Sequence, residues 1–288
     1  MLQAVMTGLL VGAGFALLAI GYTLVFGVMH LLTLAHGTVF MASGLLALIL
    51  TDAGTPFWIA GLIAIAIGAA LSVVTDLVCF RPVGYDRPIA AAVATIGLAV
   101  LIESATVQLR GSSTPVVAAF SVPSTDIRVG GLLLSTVQIT SFVLALVVML
   151  ATHLFVRRTK WGMAMRAFAH DAAAVQLLGV PTRRLTTVTM AIAGALAGLS
   201  SFLQVLRVGS ISPFSGLELG LIGLAVMTIG GLGSLPGAMI AGIGLGVIVS
   251  VSSYLGLTGY QAAVPWLLLI LILLVRPQGL FGRSVRST

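Results

Sequence analysis

Apolar runs about as long as a bilayer is thick follow one another along most of this chain, with only short connections between them. Residues 4–26, 31–51, 57–79, 88–109, 135–156, 185–206, 216–234, 237–256 and 262–275 all read this way. A hydrocarbon core of about 30 Å takes roughly 20 residues of helix to cross. Only helices and closed β-barrels satisfy every backbone polar group in lipid, and barrel strands would alternate apolar and polar positions. No such alternation is visible. The expected fold is all-α, a polytopic transmembrane helical bundle of eight or nine helices; glycines and Pro236 interrupt the stretch 216–256. Charge agrees: 7% of the 288 residues are charged, where a soluble surface needs about a quarter.

The first run has no basic residue before it and is too long for a signal-peptide core, so it reads as a retained span. A lone cysteine, Cys79, permits no internal disulfide and no thiolate metal cluster, and reads as a small buried apolar residue. The net charge of +7 reflects orientation rather than nucleic-acid binding, because basic residues stay on the cytoplasmic side. With alternating helices, Arg81, Arg87, Arg157, Arg158, Lys160, Arg166, Arg183, Arg184, Arg276, Arg283 and Arg286 fall on one side, and only Arg110, Arg128 and Arg207 on the other. The larger set marks the cytoplasm. Nine spans then place the N-terminus outside and the C-terminus inside.

A single membrane domain is expected over 1–288. The stretch 110–134, rich in glycine, serine and proline, reads as an irregular external loop. The inward connection 157–184 has few helix breakers and its own cap signals. Asp171 suits the N-cap of a helix over 172–178, Gly179 the left-handed position past its end, and Pro181 forbids continuation. Such a helix between basic anchors is a docking element on geometric grounds, or else an interfacial helix lying on lipid. Glycines four apart (Gly8/Gly12, Gly194/Gly198, Gly216/Gly220, Gly233/Gly237, Gly242/Gly246) let helix backbones approach closely. The run Gly230 to Gly237 is denser than packing requires and reads as a tight turn or broken helix.

Catalytic signatures are missing. The one lysine, Lys160, lies in Thr-Lys-Trp-Gly, so there is no phosphate-cradling Gly-Lys-Ser/Thr loop. His30, His36, His153 and His170 lack metal-ligand spacing. Asp52, Asp76, Asp126, Asp171 and Glu218 lie at or beyond helix ends, which leaves Glu103, with Arg110 seven residues on, as the acid inside a span. One such acid is thin support for ion coupling. His36 sits near the cytoplasmic start of its span, either as a hydrogen-bonding group between helices or as a solute contact.

Several segments carry a family resemblance. They are Gly21-Tyr22-Thr23-Leu24-Val25-Phe26-Gly27, Ala35-His36-Gly37, Arg81-Pro82, Ala94-Thr95-Ile96-Gly97-Leu98, Gly162 to Ala167, Leu177-Leu178-Gly179-Val180, Gly209 to Pro213, Gly230 to Ala238 and Arg276 to Gly282. In this order they resemble the permease subunits of bacterial ABC importers for branched-chain amino acids. The resemblance implies an inner-membrane importer of two permeases, two cytoplasmic ATPases and a periplasmic or lipid-anchored solute-binding protein. ATP and Mg would be held on the ATPases and no cofactor on this chain. It also implies a cytoplasmic coupling helix, here Arg166, His170, Asp171, Leu178 and Gly179, seated in an ATPase groove. His36, Gly37, Gly231, Gly233 and Pro236 are candidates for the pathway or gate. The chain departs from the family at His170, where glutamate is usual, and at Glu103, where an uncharged amide is expected. Rival readings are a urea or short-amide importer, an ion-coupled carrier, and a membrane protein without substrate.

Overall fold

The computed structural model describes residues 1–110, 126–129 and 132–282. Helices α1 (Leu2–Met29), α2 (His36–Asp52) and α3 (Phe57–Thr75) come first; α3 continues through a π turn, Asp76–Phe80, into one further turn, α4 (Arg81–Val83). Helix α5 (Pro88–Arg110) is followed by strands β1 (Asp126–Val129) and β2 (Leu132–Ser135). Next are α6 (Thr136–Arg158), α7 (Lys160–His170), α8 (Ala172–Leu177), α9 (Thr182–Val208), α10 (Ser215–Gly230), α11 (Leu235–Tyr254) and α12 (Val264–Val275).

The architecture is helical, as expected. Six helical stretches are long and apolar enough to cross a membrane, and α2, α10 and α12 are shorter apolar helices. Among the described residues, length and composition alone thus mark six candidate spans, which leaves the expected eight or nine unconfirmed. Between residues 110 and 134 the expectation was irregular backbone, yet β1 and β2 pair antiparallel, Asp126 opposite Ser135 and Val129 opposite Leu132. Residues 111–125 lie outside the described residues.

Helices α1 and α9 form the axis. Other helices cover 67% of the apolar window of α1 and 72% of that of α9, against 22% for α5 and 17% for α6. The outer helices turn large apolar side chains outward, among them Ile89, Val93 and Leu101 of α5 and Leu267, Leu271 and Leu274 of α12. Such an exterior suits lipid. Water supplies no driving force between helices there, so close contact depends on small residues. Gly8 and Gly12 of α1 lie on the backbone of α11 at Gly242 and Gly246, Gly68 of α3 on Gly194 and Gly198 of α9, and Gly37 of α2 on Gly216 and Gly220 of α10. Four of the five spaced pairs are helix contacts; the fifth, Gly233/Gly237, belongs to the turn between α10 and α11.

The apolar run 31–51 is not one helix. Helix α1 ends at His30 in the left-handed conformation, φ 54°, and residues 30–35 are non-helical. Leu31, Thr33 and Ala35 are nevertheless buried. Non-helical backbone at depth needs protein around it. Thr95 of α5 supplies part of that, its Oγ1 accepting from the Leu34 amide at 3.1 Å.

Candidate functional site

Helix α6 ends in Arg157 and Arg158, and Thr159 turns the chain back. Its extended backbone breaks the helix, and its Oγ1 accepts from the Gly162 amide at 3.0 Å, capping α7. Gly162 lies on the carbonyls of Phe155 and Val156, where no side chain would fit. Arg166 then reaches back across the turn and donates to the Arg157 carbonyl at 3.2 Å. The coupling helix that the resemblance implies from Arg166 to Gly179 is two helices, because Asp171 is extended. Arg166 and His170 lie on Lys160–His170, whose one-sided apolar pattern, burying Gly162 and Met165, is the signal for a separate helix.

After His170 the chain kinks at Asp171, whose Oδ1 accepts from the Ala174 amide at 2.9 Å as the N-cap of α8. The helix ends with Gly179 at φ 76°, and the Val180 amide donates to the Val175 carbonyl at 3.3 Å. Pro181 then precedes α9. Val175 anchors α8 inward, while Leu177 and Leu178 at its tip are 89% and 80% exposed. These are two adjacent leucines held out from a capped helix; full burial would stabilise by about 1.5–3 kcal/mol each. Arg166, His170, Asp171, Leu178 and Gly179 thus share one segment.

A second cluster lies where α9 begins. The Asp76 side chain is fully buried at the π turn, the kind of helix defect that often marks functional positions. Arg81 Nε donates to Asp76 Oδ2 at 3.2 Å, Tyr85 Oη to Oδ1 at 2.8 Å and Thr187 Oγ1 to Oδ2 at 3.3 Å. Arg81 Nη2 also donates to Thr187 Oγ1 at 2.7 Å, and the Tyr85 and Thr186 hydroxyls lie 3.1 Å apart. Burial, with Asp76 adding to it, pushes the Tyr85 hydroxyl up to about 12, so it remains a proton donor. The carboxylate ties the α3–α5 connection to the first turns of α9. Sequence reading placed Asp76 merely at a helix end, and nothing local pointed to Thr186 and Thr187, over a hundred residues away.

His36 is the first residue of α2. The Gly21 position faces both its imidazole and the Ala193 carbonyl, and Ala193 stands eleven residues into α9, about 16 Å along it. The ring meets Tyr22 edge to face, centroids 4.6 Å apart, and both side chains are buried. Beside it Gly37 seats α2 on the start of α10. Gly231 (φ 104°) and Gly233 (φ 79°) turn the chain from α10 into α11, where Ser234 caps the new helix and Pro236 occupies its first turn. Under this turn folds the Arg276–Gly282 tail, with Leu280 and Phe281 amides donating to the Ile229 and Gly230 carbonyls at 2.9 and 3.1 Å. His36 and this glycine turn meet α1 at different levels, at Gly21 and Gly27. Glu103 is half-buried on α5; the side chain of Arg110 lies outside the described residues.

Residues 4–273 match the family described as branched-chain amino acid transport system / permease component. The chain is 32% identical to the high-affinity branched-chain amino acid transport system permease protein BraD of Pseudomonas aeruginosa, over 98% of this chain and 96% of that one. Identity to the corresponding LivH protein of Escherichia coli K12 is also 32%, again with 98% and 96% coverage. The ribose import permease RbsC of Escherichia coli K12 is 25% identical over 90% of this chain and 81% of its own length. Among solved structures, an ABC transporter assigned to the metal-chelate type, in an inward-facing conformation, superposes with a TM-score of 0.53 at 18% identity, covering 93% of this chain and 82% of that one. PsaBC from Streptococcus pneumoniae gives 0.50 at 12% identity, with 97% and 93% coverage; both likenesses concern the fold. The match along almost the whole length, together with the apolar helices, makes this chain a multi-pass inner-membrane transport subunit and a member of the branched-chain amino acid permease family.

Proposed function

We propose that the chain is one membrane-spanning unit over 1–288 that forms half of the channel of an ATP-driven importer. It passes branched-chain or related neutral amino acids delivered by an external binding protein. A second permease completes the channel, and two cytoplasmic ATPases hold ATP and Mg. In this reading α2, α10 and α12 are membrane-embedded along with the six longer spans, which gives nine, and the arginine-rich end faces the cytoplasm. The observation that carries it is the α7–α8 segment: a capped, outward-facing helix whose tip exposes Leu177 and Leu178, in a chain with no phosphate loop of its own.

Loaded binding protein docks outside, nucleotide closes the ATPases, and their pull on α8 reaches the bundle through Pro181 and α9. His36 with Gly37, and the turn at Gly231, Gly233 and Pro236, are positions at which helices shift as the path opens. Gly179→Pro tests the docking assignment. Proline cannot adopt φ 76°, yet the Gly179 position is open space, so membrane insertion should persist. Stimulation of ATPase activity by the loaded binding protein should be lost, and unchanged stimulation would remove the assignment.

A further inference from the structure

Beside the Asp76 cluster the arginine-rich end carries a recess of about 350 Å³, lined by Arg81, Trp161, Arg183, Arg184, Thr187 and Val188. Arg81 is already committed to Asp76 and Thr187. Arg183 and Arg184 are exposed, and neither makes an ion pair among the described residues. They stand in the first turn of α9, which holds no acidic residue, where the helix dipole disfavours cations. The recess thus gathers positive charge that the protein leaves uncompensated. Its remaining wall is apolar: Trp161, 43% exposed, and Val188. An occupant with both a phosphate and hydrocarbon suits this lining. Tryptophan and arginine favour the headgroup level of a bilayer, and basic pockets between helices on the cytoplasmic side bind anionic headgroups.

We propose that this recess binds the phosphate of an anionic phospholipid from the cytoplasmic leaflet. Arg183 and Arg184 take its oxygens through their guanidinium forks, and the first carbons of the acyl chains rest on Trp161 and Val188. The site joins the start of α7 to the start of α9, so an occupied recess stiffens both ends of the docking segment. The inference depends on the membrane placement of this end and not on which solute is carried.

Trp161 supplies the assay. With Trp58→Phe and Trp266→Phe it is the remaining tryptophan of the chain, and bromine on a lipid chain quenches it on contact. The purified chain is placed in phosphatidylcholine vesicles, in which either brominated phosphatidylglycerol or brominated phosphatidylcholine replaces part of the lipid. Brominated phosphatidylglycerol should half-quench Trp161 at a mole fraction on the order of tenfold lower. Arg183→Gln with Arg184→Gln should abolish that preference while leaving Cys79 as unreactive as in the parent, a check that the fold survives. Equal quenching by the two lipids would overturn the proposal. So would a preference that survives the double substitution. Loss of the preference on adding millimolar inorganic phosphate would make this a site for free anions and refute the lipid.

Discussion

Asp76→Asn removes the charge at the centre of the α3–α9 junction and changes little in volume. Three donors converge on this fully buried carboxylate, from Arg81, Tyr85 and Thr187. Asparagine keeps one oxygen, puts a donor where an acceptor stood, and leaves the Arg81 guanidinium without its counter-charge. Breaking a fully buried pair costs about 3–5 kcal/mol. The Arg81 side chain is 31% exposed, so water recovers part of the loss, and about 2 kcal/mol is the expected cost of opening the junction locally. That corresponds to roughly thirtyfold in an opening equilibrium. Cys79 reports it directly: it is the one thiol of the chain, it is buried, and it stands three residues after Asp76. Labelling by a maleimide dye in micelles should be about thirtyfold faster in Asp76→Asn. Adding Arg81→Gln should slow it again, because no orphaned charge then remains. A rate within about threefold of the parent, or a double variant as fast as the product of the two singles, would refute the electrostatic account of this junction.

Two further outcomes test the packing and the docking tip. Gly12→Val should cost more than about 3 kcal/mol and be read as a collapse in monodisperse yield. A Cβ at Gly12 falls 2.6–2.8 Å from backbone atoms of Ile243 and Gly242; Gly244→Val, in open space, is the matched control and should purify normally. Leu177→Ser with Leu178→Ser should leave the melting temperature unchanged, since both side chains are exposed. ATPase stimulation should fall at least about tenfold, as two apolar anchors are lost; a lowered melting point with intact stimulation would invert the assignment.

What could be read ahead of the structure was whatever is periodic or local. Apolar length marked the spans, and glycines four apart marked the contacts of α1 with α11, α3 with α9 and α2 with α10. The Asp171 and Gly179 caps depend on neighbours within four residues, so they too were visible. The break at residues 30–35 was not, because Leu31, Thr33 and Ala35 are as buried as helical residues would be and hydropathy registers burial rather than backbone shape. For the same reason the neighbours of His36 were not visible: it opens α2 as expected, and only its packing on Gly21 sets it beside the middle of α9. Asp76 is the extreme case. Its significance resides in Thr187, 111 positions along the chain, and in a π turn that no residue pattern announces.

The two contacts between α3 and α9 act at different heights, and together they limit how the bundle can respond to a push from below. At mid-span Gly68 seats on Gly194 and Gly198; at the arginine-rich end Asp76 and Arg81 hold Thr187. A single contact would let one helix pivot on the other, whereas two contacts at separate levels prevent it. Displacement of the start of α9 therefore carries α3 with it as one piece. Helix α1 meets α9 at two levels as well: Ser200 Oγ donates to the Gly14 carbonyl at 2.8 Å, and Gly21 lies against the Ala193 carbonyl. Asp76→Asn removes the lower lock and leaves the upper one, converting a rigid pair into a hinged one: the fold should survive while force applied at α8 is spent in rotation at Gly68 instead of reaching the other helices.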